Sequence, residues 1–543
     1  MRALRSPSTG GPDGGPVQRL RAAGGGNLLV AVVSWLVCLG FAWVVLWILV
    51  DPMRPFEYFA RGWTWVGALA VVGLMQAVAR RGRRPVEWLE RRPWVRRGVG
   101  IGALAVAGLV MWRLGMAVRF PPGWDAGAVE DWGYGLAHGT RTADDHAQMA
   151  TRYPNNLSLV GWLARWYQLC DLLGVSSMGM GTVLLNVLAL GAALVLVWAV
   201  ARRVAGPMAG YVAMVPAVPL LVASPWIGVA YSDTLGTVFP IGVVLLFLVA
   251  RGSGSPRVQV LCWVGIGFLG LVGYRLKPTI VFVVVAVLAG VLVELRRRGG
   301  WRSGARRLGL ALAGAAVGGV LASAVLGVVV GRTGIMPEGD ERELATPLTH
   351  YLMMGAGYQE NSETGARAWG AWNGDDVALA ESVPPEERLG HSFDVWVDRV
   401  QDWGPVGYPR FLNEKASWML GDGNFNAFRH GYMNRPDQPW EFDDALSREL
   451  RTWMTPQHEQ YRWLALVRQS VWFAALLLMV APVVWWRPVI HGLPTAVMRV
   501  SLAGLLAFLL LFEGGSRYLY LYSPLVIVLA AVTSVEWARA RAG

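Results

Sequence analysis

The chain is 543 residues long, 54% hydrophobic and only 16% charged, with a mean hydropathy of +0.39. A soluble chain carries roughly a quarter charged residues, so this composition excludes an ordinary soluble protein and a disordered one. The formal net charge of +12 would suit a nucleic-acid binder, but its distribution along the chain gives it another cause.

Residues 1–27 are rich in Gly, Pro and Arg and read as a loose cytoplasmic tail. A spanning helix takes about 20 apolar residues, and about twelve runs approach that length. They are 28–50, 60–79, 98–118, 178–200, 208–224, 235–250, 258–273, 279–295, 308–330, 463–485, 495–513 and 518–535. The runs at 208–224 and 235–250 are short for a span. The first run is too long for a signal-peptide core and has no small-residue cleavage site after it, so it is read as retained. The expected fold is an all-α polytopic membrane protein.

The loops between these runs alternate between arginine-rich and arginine-poor. RRGRRPVEWLERRPWVRR at 80–97 and RRRGGWRSGARR at 296–307 hold much of the positive charge. Under the positive-inside rule these loops and both termini are cytoplasmic, in the plasma membrane. The basic charge therefore reports orientation, and nucleic acid is not expected as a partner. The cysteines, Cys38, Cys170 and Cys262, are odd in number with no CxxC pair, which suggests no disulfide frame or zinc site.

The expected layout has two N-terminal helices and a basic loop (28–97), then a transmembrane core (98–330). A first outer loop lies at 119–177, an extracytoplasmic domain of short helices and loops at 331–462, and C-terminal helices at 463–543. Three motifs are set aside. GIGFLG at 265–270 spells a dinucleotide fingerprint but sits inside an apolar run with no strand before it. GDGNFN at 421–426 starts like a calcium loop, but Ala427 and Met433 stand where glycine and glutamate are needed. Asn156-Leu-Ser158 is a glycosylation sequon by spelling only.

In the first outer loop, Pro121-Pro122-Gly123 stops the third span and a short helix is expected to start at Asp125. Asp125 is there either a helix cap or a carboxylate for proton transfer, or both. Glu130 and Asp131 follow, as solvated helix charges or further acids. Asp144-Asp145-His146 could hold a divalent cation or simply face water. Tyr153, Asn155 and Asn156 precede an amphipathic helix lying on the membrane. The asparagines either cap that helix or offer amides to a sugar or phosphate. Asp233 sits at the mouth of the sixth span, as a cap or as a second acid facing Asp125.

Arg275 and Lys277 fall between two spans at the outer surface, where interfacial cations are functional candidates. Only Lys277 and Lys415 are lysines among the 49 basic residues. A lysine retained in an arginine-using chain suggests a compact ammonium acting as a point charge on phosphate. Glu513, Arg517 and Tyr518 lie at the outer boundary of the last two spans. They form either an ion pair with belt tyrosines or a guanidinium clamp on phosphate. Carboxylates and cations at one level suit a reaction on a lipid phosphate: cations stabilise the leaving phosphate while a carboxylate takes a proton from the attacking hydroxyl.

WDAGAVEDWGYGLAHG with RYPNN, YSDT, LKPT, PLTHYLMMG and EGGSRYLYLYSP occur in that order between residues 98 and 535. In these the chain resembles the GT-C superfamily of integral-membrane glycosyltransferases, more narrowly bacterial members of the protein mannosyltransferase, family 39 type. The resemblance implies a polyprenyl-phosphate-linked sugar donor and an envelope glycan, lipid or protein as acceptor. It implies Asp125 as catalytic base, Arg517 and Lys277 at the donor phosphate, and His350 in the substrate region. It implies no cofactor and leaves a divalent cation open. One departure is that the large loop follows the third helix here and the first in the family, so helices one and two read as an addition. The competing readings are a transporter or flippase for a lipid-linked glycan and a non-catalytic envelope-assembly scaffold. A transporter would place charges at mid-bilayer depth, which draws attention to Arg113 and Arg468.

Overall fold

The computed structural model describes residues 25–51, 61–120, 122–141, 149, 153–295, 301–335, 345–360, 367–426, 440–456 and 458–541. The tail at 1–24 and the Asp144-Asp145-His146 cluster lie outside the described residues. The chain is an all-α polytopic membrane protein. Its first half runs α1 (Gly25–Val50), α2 (Arg61–Arg81), α3 (Arg83–Glu90), α4 (Pro93–Val118), α5 (Trp124–His138), α6 (Leu157–Leu172), α7 (Met178–Ala205) and α8 (Pro207–Ala217). The middle runs α9 (Ser232–Leu235), α10 (Val238–Gly252), α11 (Pro256–Leu276), α12 (Val281–Leu295), α13 (Trp301–Val329) and α14 (Leu348–Gly355). A two-stranded antiparallel ribbon follows, β1 (Tyr358–Glu360) with β2 (Arg367–Trp369). The remainder is α15 (Gly374–Glu381), α16 (Arg388–Leu420), α17 (Ala445–Met454), α18 (Tyr461–Val480), α19 (Leu493–Leu511), α20 (Arg517–Tyr520) and α21 (Ser523–Ala540).

Ten helices among the described residues are long and apolar enough to cross a membrane, and Pro207–Val222 and Pro278–Glu294 are shorter apolar ones. All twelve expected runs thus become helices. The run at 235–250 reaches full length by starting at Ser232, whereas the run at 518–535 begins later than expected. Pro524 at the N-terminus of α21 starts a fresh helix, and Arg517–Tyr520 form a separate turn.

Burial orders the bundle. The α21 span is 83% buried and packs on α2, α7, α8 and α18, while the α13 span is 22% buried and lines the outside. Large apolar side chains such as Trp43, Trp63, Leu69 and Ile101 are exposed, as lipid-facing helices require. Between α11 and α13 the backbones meet: a Cβ on Gly267 would lie 2.0 Å from the Ala315 carbonyl oxygen. The central glycine of GIGFLG therefore serves close helix contact. The two N-terminal helices are built into the bundle, with Trp65 stacked on Phe473 at 4.5 Å and Gln76 Nε2 donating to the Ser534 carbonyl at 3.1 Å.

The described parts of 345–456 pack on the bundle through α14 and α16 against α19 and through α17 against α4 and α18. The ribbon is a small exception to their helical character. α17 is capped by Asp444, which takes the Ser447 amide, and it packs on α4. Arg113 of α4 pairs with Asp444 at 3.0 Å.

Candidate active site

Asp125 is the second residue of α5, whose N-cap is Gly123, so it is not the cap. Its Oδ1 accepts the Ala126 amide at 3.0 Å and its Oδ2 accepts the Tyr231 hydroxyl at 2.5 Å. Arg517 Nη1 lies 3.7 Å from the same Oδ2. Tyr231 stands immediately before α9, extended at φ −136. It also accepts from Asn156 Nδ2 at 3.3 Å. Burial, with the Asp125 carboxylate beside it, pushes the Tyr231 phenol well above its ordinary value, so it stays a donor.

Asp233 is not a cap either: it follows Ser232 inside α9, fully buried, and pairs with the Lys277 ammonium. Lys277 is extended because Pro278 follows it and ends α11. That places Nζ 4.3 Å from the Tyr518 ring and 5.8 Å from the Tyr231 ring. Burial pulls Lys277 below the ordinary lysine value, against the opposing pull of Asp233. The second oxygen of Asp233 has no hydrogen-bond partner among the described residues.

Arg517 closes the ring. Its Nη2 donates to the Tyr518 hydroxyl at 2.8 Å, and that hydroxyl donates to Glu513 Oε1 at 2.9 Å. The guanidinium also lies 5.7 Å from the Tyr231 ring and 3.9 Å from Glu513. Burial pushes Glu513 above the usual carboxylate range, with Arg517 opposing. The hydroxyl of Tyr522 donates to the Thr279 carbonyl at 2.9 Å, fixing the start of α21 to the segment after Lys277. Three carboxylates (Asp125, Asp233, Glu513), two cations (Lys277, Arg517) and two tyrosines (Tyr231, Tyr518) thus converge from four loops at one end of the bundle. The set combines a carboxylate able to accept a proton with cations able to meet an anion.

Several expected site residues stand elsewhere. Glu130 is not solvated: it is fully buried, paired with Arg119 at 2.9 Å and bonded by Tyr167 and Thr182. Arg119 also reaches Glu441 at 3.1 Å, and Glu441 takes the Gly179 amide at 3.0 Å, so this cluster ties three segments together. Asp131, next on the helix, is exposed. Arg275 is exposed while Lys277, two residues on, is buried. His350 is buried, its ring 5.6 Å from Tyr351, and burial pulls it below the ordinary histidine value.

Asn156 occupies the N-cap position of α6 but makes no capping bond, giving its amide to Tyr231 instead. Asn155 donates to the Tyr351 hydroxyl at 3.2 Å, and Tyr153 precedes them, half-buried. Lys415 is fully buried and gives its protons to backbone carbonyls. GDGNFN is a turn in which Asp422 accepts the Asn424 and Asn426 amides and the Ser516 hydroxyl. The site also includes Tyr231, the first residue of YSDT, and brings Tyr351 of PLTHYLMMG to Asn155. The available signal is a hydroxyl within two residues of Asp233 in the first case and beside His350 in the second.

The fold and this buried ionic cluster define an all-helical, polytopic integral membrane protein with polar chemistry gathered at one end of its bundle. The chain belongs to a family described as conserved hypothetical integral membrane proteins, whose model matches residues 34–538. A comparison with curated proteins finds no match. Among solved structures the chain is similar to ArnT from Cupriavidus metallidurans, crystallised with undecaprenyl phosphate. The identity is 14%, over 80% of this chain and 77% of that one, with a TM-score of 0.32. At that level no residue or role is carried across.

Proposed function

We propose that the protein is an inverting membrane glycosyltransferase, moving a monosaccharide from a polyprenyl-phosphate donor to a hydroxyl of an envelope glycan, lipid or protein on the extracytoplasmic face. The observation that carries this reading is the meeting of Asp125 with Arg517 through Tyr231, beside the Lys277–Asp233 pair. In the reaction Asp125 accepts the proton of the acceptor hydroxyl, whose oxygen bonds to the anomeric carbon. The bond from that carbon to the phosphate oxygen breaks, and the lipid phosphate leaves on the opposite face. Arg517 and Lys277 meet the charge that grows on it. A phosphate beside Arg517 competes for a guanidinium that Asp125 holds at only 3.7 Å, leaving the carboxylate on Tyr231 for proton transfer.

The test is Asp125→Asn in purified protein supplied with labelled polyprenyl-phosphate sugars and envelope membranes. A loss of about 100-fold or more is expected for a missing base. Unchanged transfer overturns the assignment.

The transporter reading draws on one observation. Arg468 is buried in α18, and two of its guanidinium nitrogens have no hydrogen-bond partner among the described residues. A lipid-flipping assay on the same preparation separates the two readings, because flipping without transfer belongs only to the transporter.

A further inference from the structure

Lys415 is one of only two lysines, and the proposed chemistry gives it no task. It lies in the last turns of α16, 0% exposed. Its Nζ donates to the carbonyls of Gly355 at 2.8 Å, Leu510 at 3.1 Å and Phe512 at 2.6 Å. Those oxygens end α14 and α19, so one side chain ties three helices together. A Cβ on Gly370 would lie 2.3 Å from Nζ, and Gly370 itself is left-handed at φ +61, so the backbone after β2 closes tightly over the ammonium. The same stretch is held by two further bonds, Glu513 N to the Tyr351 carbonyl at 2.7 Å and Gly514 N to the Gly370 carbonyl at 2.8 Å. Directly after it come Glu513, then Arg517 and Tyr518.

We propose that Lys415 is a positioning residue: its ammonium, by filling three carbonyls at once, sets the path of Phe512–Gly514 and so the placement of Glu513 and Arg517 in the candidate active site. Three acceptors match three N–H donors. A neutral amine has two donors and a lone pair, so one carbonyl would lose its proton and face that lone pair. Arginine cannot substitute, because the planar fork needs space that the backbone at Gly370 takes.

The cradle is therefore sensitive to the charge of Lys415. Burial pulls its pKa down to about 7, with Glu513 opposing. Among its neighbours, α14 brings His350 and Tyr351, β2 brings Arg367, α16 itself brings Arg410 and Glu414, and the segment after α19 brings Glu513. Glu513 is the one whose field acts on the ammonium. Because the folded chain holds this proton less tightly than the unfolded chain, global stability gains from this residue as pH rises from about 7 toward the unfolded lysine value. The same linkage acts locally: an opening of Phe512–Gly514 that lets Lys415 reach water takes up a proton over this range, so the closed cradle also gains as pH rises, a dependence that removing the amine abolishes.

The consequence for catalysis rests on the glycosyltransferase reading, but the positioning role does not. The test is hydrogen–deuterium exchange on full-length protein in nanodiscs, following peptides over residues 509–520 from pH 6 to 9 with intrinsic rates divided out. In wild type, protection of these peptides is expected to rise severalfold above about pH 7. In Lys415→Met, protection is expected to be low and flat with pH. If that variant does not fold, the wild-type profile decides alone. Protection independent of pH in wild type overturns the proposal. Transfer measured on the same samples keeps the two claims apart: pH-dependent protection without any transferase activity retains the positioning role and removes the reading of function. Flat protection with transfer present does the reverse.

Discussion

The Tyr231 hydroxyl donates to Asp125 Oδ2 at 2.5 Å while its ring lies 5.7 Å from the Arg517 guanidinium. One tyrosine thus spaces the proposed base from the proposed phosphate cation. It is itself oriented by Asn156, so the first outer loop and the α8–α10 connection hold the site jointly.

Tyr231→Phe removes that donor and leaves most of the packing. The expected result is a fall in kcat of about 10-fold, with KM little changed and a stability loss on the order of 1–3 kcal/mol. Steady-state transfer kinetics and thermal midpoints on one preparation check it.

Lys277→Met strands Asp233, whose second oxygen already has no partner among the described residues. Removing one member of a buried pair costs about 3–5 kcal/mol, and removing both costs less. The double variant with Asp233→Asn should therefore be more stable than Lys277→Met alone, and a double-mutant cycle on melting midpoints measures this. A double variant less stable than both singles contradicts a direct pair.

Burial raises the pKa of the Glu513 carboxyl above the ordinary glutamate value of about 4.3. The folded chain therefore binds this proton more tightly than the unfolded chain. The stability it contributes is full below pH 4.5 and is lost as pH rises through the folded value. Glu513→Gln should flatten the fall in melting midpoint just above pH 4.5, measured in steps from pH 4 to 7.

Glu130 and Asp131 are neighbours with opposite expectations. Glu130→Gln leaves Arg119 buried beside a neutral partner and should lower the melting midpoint markedly, with kcat per folded molecule retained. Asp131→Asn, at an exposed position, should stay within about 0.5 kcal/mol of wild type.

The sequence shows the spans because about 20 apolar residues in a row have one physical use in such a chain. It also marks Asp125, Asp233, Lys277, Glu513 and Arg517, since charges flanking apolar runs are rare and costly. Which of them meet depends on contacts far apart in the chain, such as the 106 residues between Tyr231 and Asp125. No local pattern encodes that pairing. Glu130 misleads because its neighbours on α5 look amphipathic, whereas its partner Arg119 lies before the helix and Thr182 on another. Lys415 misleads differently. Rarity marks it correctly as special, but its partners are backbone carbonyls, which carry no side-chain signal.

The most direct measurement is a density map of the purified protein with a polyprenyl phosphate in nanodiscs. The account predicts the phosphate within hydrogen-bonding distance of Arg517 and Lys277, with Asp125 on the opposite side of the space where a sugar would sit. A lipid phosphate bound at the arginine-rich opposite end of the bundle, with none beside Arg517, would contradict it.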